Sequence, residues 1–154
     1  MRLLIIATLC LSAFSTQAQS PSKQEQAFVD ALNKLVTIAP QDIWCNGELM
    51  KLDSPFRLDG ELLTVTWVCN TDSTWSKTRL TVPISKVRSV EWDLYLVLVC
   101  DERDAVEIHE SRSDNPEWRL AEQTHLLHIT PVSEENKKQM KAKKEIEKAF
   151  AGLR

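Results

Sequence analysis

The chain has 154 residues, a net charge of −3 at pH 7 and 43% hydrophobic residues. This length suits one domain with a substantial core. The acidic balance argues against nucleic acid as a partner, because nucleic-acid-binding domains usually present a basic surface. The chain has three glycines, and none lies in a phosphate-binding loop or in a Gly-x-Ser-x-Gly nucleophile elbow. The composition therefore favours a globular domain without a recognisable catalytic motif.

The first 18 residues predict a secretory signal peptide. A short basic start, Met1-Arg2, precedes the apolar run Leu3–Phe14, and small residues Thr16 and Ala18 stand before a cleavage site at Gln19. The apolar run is shorter than the ~20 residues that a membrane-spanning helix needs. We therefore expect a secreted or periplasmic protein that begins after Ala18, with no transmembrane segment in its mature part.

Residues 19–40 predict an N-terminal helix. Ser22 with Glu25 three residues later matches a capping box, and Pro40 ends the helical pattern. One face of this helix is apolar, and the opposite face carries Asp30, Asn33, Lys34 and Thr37. The pattern predicts a helix that packs on a sheet; a helix that docks in the groove of a partner is the alternative.

Residues 41–130 read as short strands separated by turns. The run Leu94–Cys100 is continuously apolar, which predicts a strand buried on both faces. Turn residues stand at Asp53-Ser54-Pro55, at Asp59-Gly60 and at 113–116. We place about seven strands near residues 43–52, 61–70, 75–82, 86–92, 94–100, 105–111 and 118–130.

A C-terminal amphipathic helix is predicted over residues 133–152, with Ser133 as its N-cap. Four lysines form a stripe opposite its apolar face: Lys137, Lys141, Lys144 and Lys148. The stripe is typical of a solvated face. The alternative is a surface that binds an acidic partner or an anionic cell surface.

Two segments resemble parts of pleckstrin-homology-like domains. Val82–Val90 (Val-Pro-Ile-Ser-Lys-Val-Arg-Ser-Val) is similar to the middle-strand segment of bacterial PH-like and GRAM-like domains, and Ile146–Leu153 resembles the helix that plugs their barrel. The resemblance covers Ile43–Arg154. It implies an antiparallel PH-like barrel or sheet that ends with the C-terminal helix. Together with the N-terminal helix predicted above, the fold class is mainly β (α+β). The resemblance also implies a non-enzymatic binding or scaffolding module, although fold alone does not give function.

One feature of that family is missing here. Phosphoinositide-binding members carry a basic cluster between their first strands, whereas the segment Leu52–Gly60 holds only Arg57 against Asp53 and Asp59. The lipid site is therefore not carried over to this chain.

The predicted mature chain holds three cysteines. If strands 43–52 and 61–70 form a hairpin centred on Arg57, then Cys45 lies opposite Cys69. This register predicts a cross-strand disulfide, which an oxidising compartment permits, and leaves Cys100 as a buried thiol. The alternative is three reduced core cysteines.

The histidines do not form a metal-binding pattern. His125 and His128 are three residues apart on a predicted strand and so point to opposite faces, as do the neighbours His109 and Glu110. We therefore predict no metal site and no cofactor.

Two of the five tryptophans stand in polar surroundings. Trp75 lies between Thr74 and Ser76, and Trp118 follows Asn-Pro-Glu. We predict that Trp75 and Trp118 are exposed anchors of a binding surface. The predicted function is a secreted, non-enzymatic module that binds a protein or cell-envelope component through these tryptophans or a sheet edge. The alternatives are a carrier of a small apolar ligand, cystatin- or lipocalin-like, and an enzyme with a dispersed site.

Overall fold

The computed structural model describes residues 20–39, 44–45, 48–71 and 73–154. The helices are α1 (Lys23–Ile38) and α2 (Lys137–Ala151), and a 3₁₀ turn covers Ile84–Lys86. The strands are β1 (Trp44–Cys45), β2 (Glu48–Leu49), β3 (Lys51–Asp59), β4 (Leu62–Asn70), β5 (Trp75–Pro83), β6 (Val87–Asp93), β7 (Tyr95–Cys100), β8 (Val106–Arg112), β9 (Asn115–Thr124) and β10 (Leu126–Pro131).

All strand pairs in the described residues are antiparallel. A five-stranded sheet has the order β3-β4-β5-β8-β9, a three-stranded sheet has the order β10-β7-β6, and β1 pairs with β2. The predicted fold class, mainly antiparallel β with a helix near each end, is confirmed. The sheets do not close into a barrel within the described residues. Membership of the PH-like superfold stays a prediction.

Both sheets and both helices contribute to one apolar core. Phe28 and Leu32 of α1, Trp67 of β4, Leu98 of β7 and Ile146 of α2 are each at most 1% exposed. Within the apolar run Leu94–Cys100, residues Leu96–Cys100 are buried as predicted. The prediction is wrong for Leu94, which lies in the turn before β7 and is 76% exposed. The indole Nε1 of Trp67 has no hydrogen-bond partner among the described residues. Neither helix is long and apolar enough to span a membrane, a finding that covers the described part of the chain.

The N-terminal helix begins as predicted. The backbone N–H of Ser22 donates to Glu25, and the backbone N–H of Glu25 donates to the Ser22 hydroxyl, which completes the capping box. Asn33 lies outside the apolar stripe of α1 but still makes a tertiary contact. Asn33 Nδ2 donates to the carbonyl of Phe56 (2.8 Å), and the Phe56 N–H donates to Asn33 Oδ1 (2.7 Å). This two-bond contact ties α1 to β3.

The predicted turn at Asp53-Ser54-Pro55 is wrong, because these residues lie inside β3. The register of β3 against β4 shifts between Leu52 and Ser54 and again between Ser54 and Arg57. Bulges of this kind leave residues without ladder partners, and at an edge strand they tolerate proline. The hairpin turns at Gly60, whose φ is +63°, a value that glycine adopts without strain.

The predicted bounds of one strand and of the C-terminal helix are also wrong. The predicted strand 118–130 is two strands in different sheets, β9 and β10, with His125 between them. The second correction concerns α2, whose N-cap is Asn136 rather than Ser133; its side chain accepts from the N–H groups of Lys138 and Gln139. Ser133 does not cap the helix. Its backbone N–H instead donates to the side chain of Gln139, which holds the segment before α2 against the helix.

The Asn33 contact predicts a large stability effect. Asn33→Ala should lower the free energy of unfolding by about 2 kcal/mol, because it leaves two part-buried backbone groups of Phe56 without partners. Urea unfolding followed by circular dichroism measures this change. Gln26→Ala is the matched control on the same helix, since it loses only an exposed bond to Asp30. Equal losses in the two variants would contradict the assignment.

The β6–β7 turn predicts a stabilising substitution. Leu94 is 76% exposed and has φ of +51°, in the left-handed region that most L-residues avoid. Leu94→Asn should raise the free energy of unfolding by roughly 0.5–1 kcal/mol, since asparagine enters this region at lower cost. Leu94→Ala removes the same apolar surface but keeps the backbone penalty. If the alanine variant gains as much, backbone strain is not the cause.

Candidate functional site

Strand β5 presents a row of aromatic and basic side chains away from the core. Successive residues of a strand point to opposite faces, so Trp75, Lys77 and Arg79 share one face. The opposite face of the same sheet carries core residues such as Val65 and Trp67. We call the outer face formed by Trp75, Lys77, Arg79, His109 and Trp118 the tryptophan face.

Lys77 has both an aromatic and an acidic partner. Its Nζ lies 5.7 Å from the ring centroid of Trp75 and 2.9 Å from each carboxylate oxygen of Asp53. Asp53 lies in the bulged part of β3, and its carboxylate reaches Lys77 across β4. The Lys77 charge is thereby compensated within the chain.

Arg79 has an aromatic partner without an acidic one. Its guanidinium carbon lies 4.4 Å from the ring centroid of Trp118, close enough for a cation–π contact. The Nε atom is buried and has no hydrogen-bond partner among the described residues. Arg79 also forms no ion pair within the described part of the chain.

His109 lies directly opposite Arg79 in the β5–β8 register. Its Nε2 is 3.6 Å from a carboxylate oxygen of Glu107. Its Nδ1 is buried and, within the described residues, has no hydrogen-bond partner. Two neighbouring nitrogen-bearing side chains therefore each hold one uncompensated polar atom.

The two tryptophans that were predicted to anchor a binding surface line the same groove. Trp75 from β5 and Trp118 from β9 both line an open groove of about 530 Å³, together with Asp53, Lys77 and Ser111. Trp118 is 37% exposed and Trp75 is half-buried. The groove combines aromatic surface with charged and hydroxyl groups, which suits recognition of a polar ligand rather than enclosure of an apolar one.

The four lysines of the predicted stripe lie elsewhere. Lys137, Lys141, Lys144 and Lys148 are exposed on α2, and none of them lines the groove between the tryptophans. Lys148 lines a separate open groove between α1 and α2, whose walls include Ala27, Ala31 and Ala149. Binding by this stripe stays a prediction.

Strand β9 is an exposed edge with features that oppose strand addition. Residues Pro116–Gln123 are all exposed, and β9 ends the five-stranded sheet. Pro116 has no N–H to donate, Glu117 and Arg119 add charge, and two register shifts interrupt the pairing with β8. Such devices protect edges from pairing with other chains. The face of the sheet is therefore a better candidate site than its edge.

The cysteine register predicted from the sequence is wrong. Arg57 lies in β3 opposite Thr64, so it does not centre a hairpin that would bring Cys45 against Cys69. Cys69 is 2% exposed at the end of β4, and the side chain of Cys45 lies outside the described residues. The Cys45–Cys69 disulfide therefore stays a prediction. Cys100 is a buried free cysteine, and burial raises the pKa of its thiol.

In the part of the chain that the structure describes, the histidine and carboxylate side chains do not assemble into a metal site. Within the described residues, no group of three His, Cys, Asp or Glu side chains has a metal-binding arrangement.

Other charge pairs on the surface are local. Lys86 and Glu102 are 2.5 Å apart, and this hydrogen bond raises the pKa of Lys86. Lys34 and Glu145 join α1 to α2, and the Lys34 hydrogen bond lowers the pKa of Glu145.

Comparison of the chain with protein-family models, with curated proteins and with solved structures gave no significant match. Function is therefore inferred from the residues of the tryptophan face.

Thiol counting tests the cysteine assignments. In denaturant without reductant, a chain that begins at Gln19 should react with iodoacetamide at one cysteine, Cys100, and at three after reduction. In the folded protein Cys100 should react slowly at neutral pH, because its raised pKa and its burial keep the thiol protonated and covered. Peptide mass spectrometry locates the label. Three reactive thiols before reduction would remove the disulfide.

Proposed function

We propose that this chain is a secreted, non-enzymatic binding module whose contact surface is the tryptophan face. The observation that carries the proposal is that the two tryptophans lining one open groove each contact a basic side chain, Lys77 or Arg79. Tryptophan and arginine are enriched among the residues that dominate protein–protein binding energies. Secretion is supported by the signal-peptide pattern of residues 1–18.

The carrier hypothesis has less support. It requires space between the helices and the inner sheet face. Phe28, Leu32 and Leu35 of α1 are 0% exposed and belong to the same core cluster as Trp67 and Leu98 from the sheets. The apolar groove of about 470 Å³ between α1 and α2 is open to solvent rather than enclosed by the sheets.

The test compares tryptophan-face variants in the natural secreted or periplasmic fraction. Wild-type protein purified from that fraction should carry a stoichiometric partner in native mass spectrometry. Trp75→Ala/Trp118→Ala should lose it at least tenfold, because truncating hot-spot tryptophans costs about 2 kcal/mol or more each. Trp118→Ala alone should show an intermediate loss.

Leu94→Asn is the matched control, because it removes a more exposed apolar side chain from the other sheet. This variant should retain the partner. Circular dichroism confirms that each variant is folded. Equal recovery with wild type and the double tryptophan variant, or a bare monomer in every case, would contradict the proposal. A co-purifying small apolar molecule would favour the carrier instead.

A further inference from the structure

Lys77 and Arg79 occupy equivalent positions on the tryptophan face but differ in their charge partners. Each stacks on a tryptophan, Trp75 or Trp118. Lys77 also contacts both oxygens of Asp53 at 2.9 Å, whereas Arg79 has no ion pair with a described residue. The comparison within one face identifies a carboxylate as the group that Arg79 lacks.

An uncompensated guanidinium is costly where it is half-buried. Burial removes water from a charged group, and the cost falls when a counter-charge with hydrogen bonds replaces that water. Arginine is suited to this exchange, because its planar fork of N–H donors matches the two oxygens of a carboxylate. The Trp118 ring lies against the guanidinium, and the Nε atom is buried, so a ligand carboxylate would meet the terminal N–H groups.

The surroundings of Arg79 favour an acidic ligand. His109 lies directly opposite Arg79, and its Nδ1, unpartnered among the described residues, is buried, so it borders the site without contacting a ligand through that atom. The same face carries the basic residues Lys51 and Arg57 and the acidic residues Asp53, Asp59 and Glu107, so its charges are mixed. Asp53 already pairs with Lys77, whereas Arg79 forms no ion pair with a described residue. A carboxylate is the group that complements this unpaired guanidinium.

We propose that Arg79, stacked on Trp118 and flanked by His109, binds a side-chain carboxylate in an acidic segment of a protein partner. This inference rests on the proposed function and specifies the chemistry of its ligand. A protein partner is favoured because the face combines tryptophan and arginine, the residues enriched in the buried centre of protein interfaces.

The probe is a tetraglutamate peptide with acetylated and amidated ends, titrated into the protein and followed by ¹H–¹⁵N NMR. The indole N–H of Trp118 and the Nε–H of Arg79 should shift saturably. Arg79→Gln should weaken binding at least tenfold, because charged hydrogen bonds are lost. Raising NaCl from 0.05 to 0.5 M should weaken binding several-fold, since the site is partly exposed. A tetraglutamine peptide should cause no saturable shift.

Arg119→Gln is the matched control. Arg119 follows Trp118 in sequence but lies opposite Glu110, on the other face of the sheet. This variant removes the same charge and should bind tetraglutamate like the wild type. Equal losses for the two variants, unchanged affinity for Arg79→Gln, or shifts confined to the lysines of α2 would overturn the inference.

The native partner separates this inference from the proposed function. If Trp75→Ala/Trp118→Ala loses that partner while Arg79→Gln retains it and tetraglutamate does not bind, the binding module stands and the carboxylate assignment falls. If neither variant changes partner recovery, both fall. Arg79-dependent binding to anionic lipid vesicles, without binding to tetraglutamate, would replace the protein partner with a membrane.

Discussion

The two hydrogen bonds between Asn33 and the backbone of Phe56 are the contact on which the shape of the five-stranded sheet depends. The register shifts in β3 interrupt its ladder with β4 on either side of Ser54, and backbone groups released in this way need other partners. A helix side chain supplies them at 2.7 and 2.8 Å. The same bulged part of β3 carries Asp53, the ion-pair partner of Lys77 on the tryptophan face.

Much of the fold could be predicted from the sequence, because its apolar patterns are clear. The run Leu96–Cys100, the capping box at Ser22 and the amphipathic stripe of α2 each identify one element with its correct type. One error occurs where turn-forming residues lie inside a strand. Pro55 and its neighbours favour a turn locally, but an edge strand with bulges accepts them, and the Asn33 contact compensates for the lost pairing. That compensation comes from a residue 23 positions away, so local sequence does not reveal it.

The candidate site was predicted in part. Polar flanks identified Trp75 and Trp118 as surface tryptophans, and both line the same groove. Lys77, Arg79 and His109 were missed, because each became informative only once register was known. The alternation Trp75-x-Lys77-x-Arg79 was a usable signal, but Ser76 and Thr78 made both faces of β5 look polar. The contact between Arg79 and Trp118 further required the separation of β9 from β10 and the register shifts that β9 makes against β8.

A purely structural role for Arg79 would be to cover Trp118 with its guanidinium. Such stacking contributes about 0.5–2 kcal/mol, depending on how far the cation is desolvated. Covering Trp118 does not require a buried Nε without a partner. Lys77 contacts Trp75 on the same face of the sheet, and its charge is compensated by Asp53. A long neutral side chain could cover the indole without leaving a charge half-buried, and His109 across the strand adds a second uncompensated atom. The arrangement is understandable if a carboxylate from another molecule pairs with the accessible part of the Arg79 guanidinium, because the charge that destabilises the free chain then stabilises the complex.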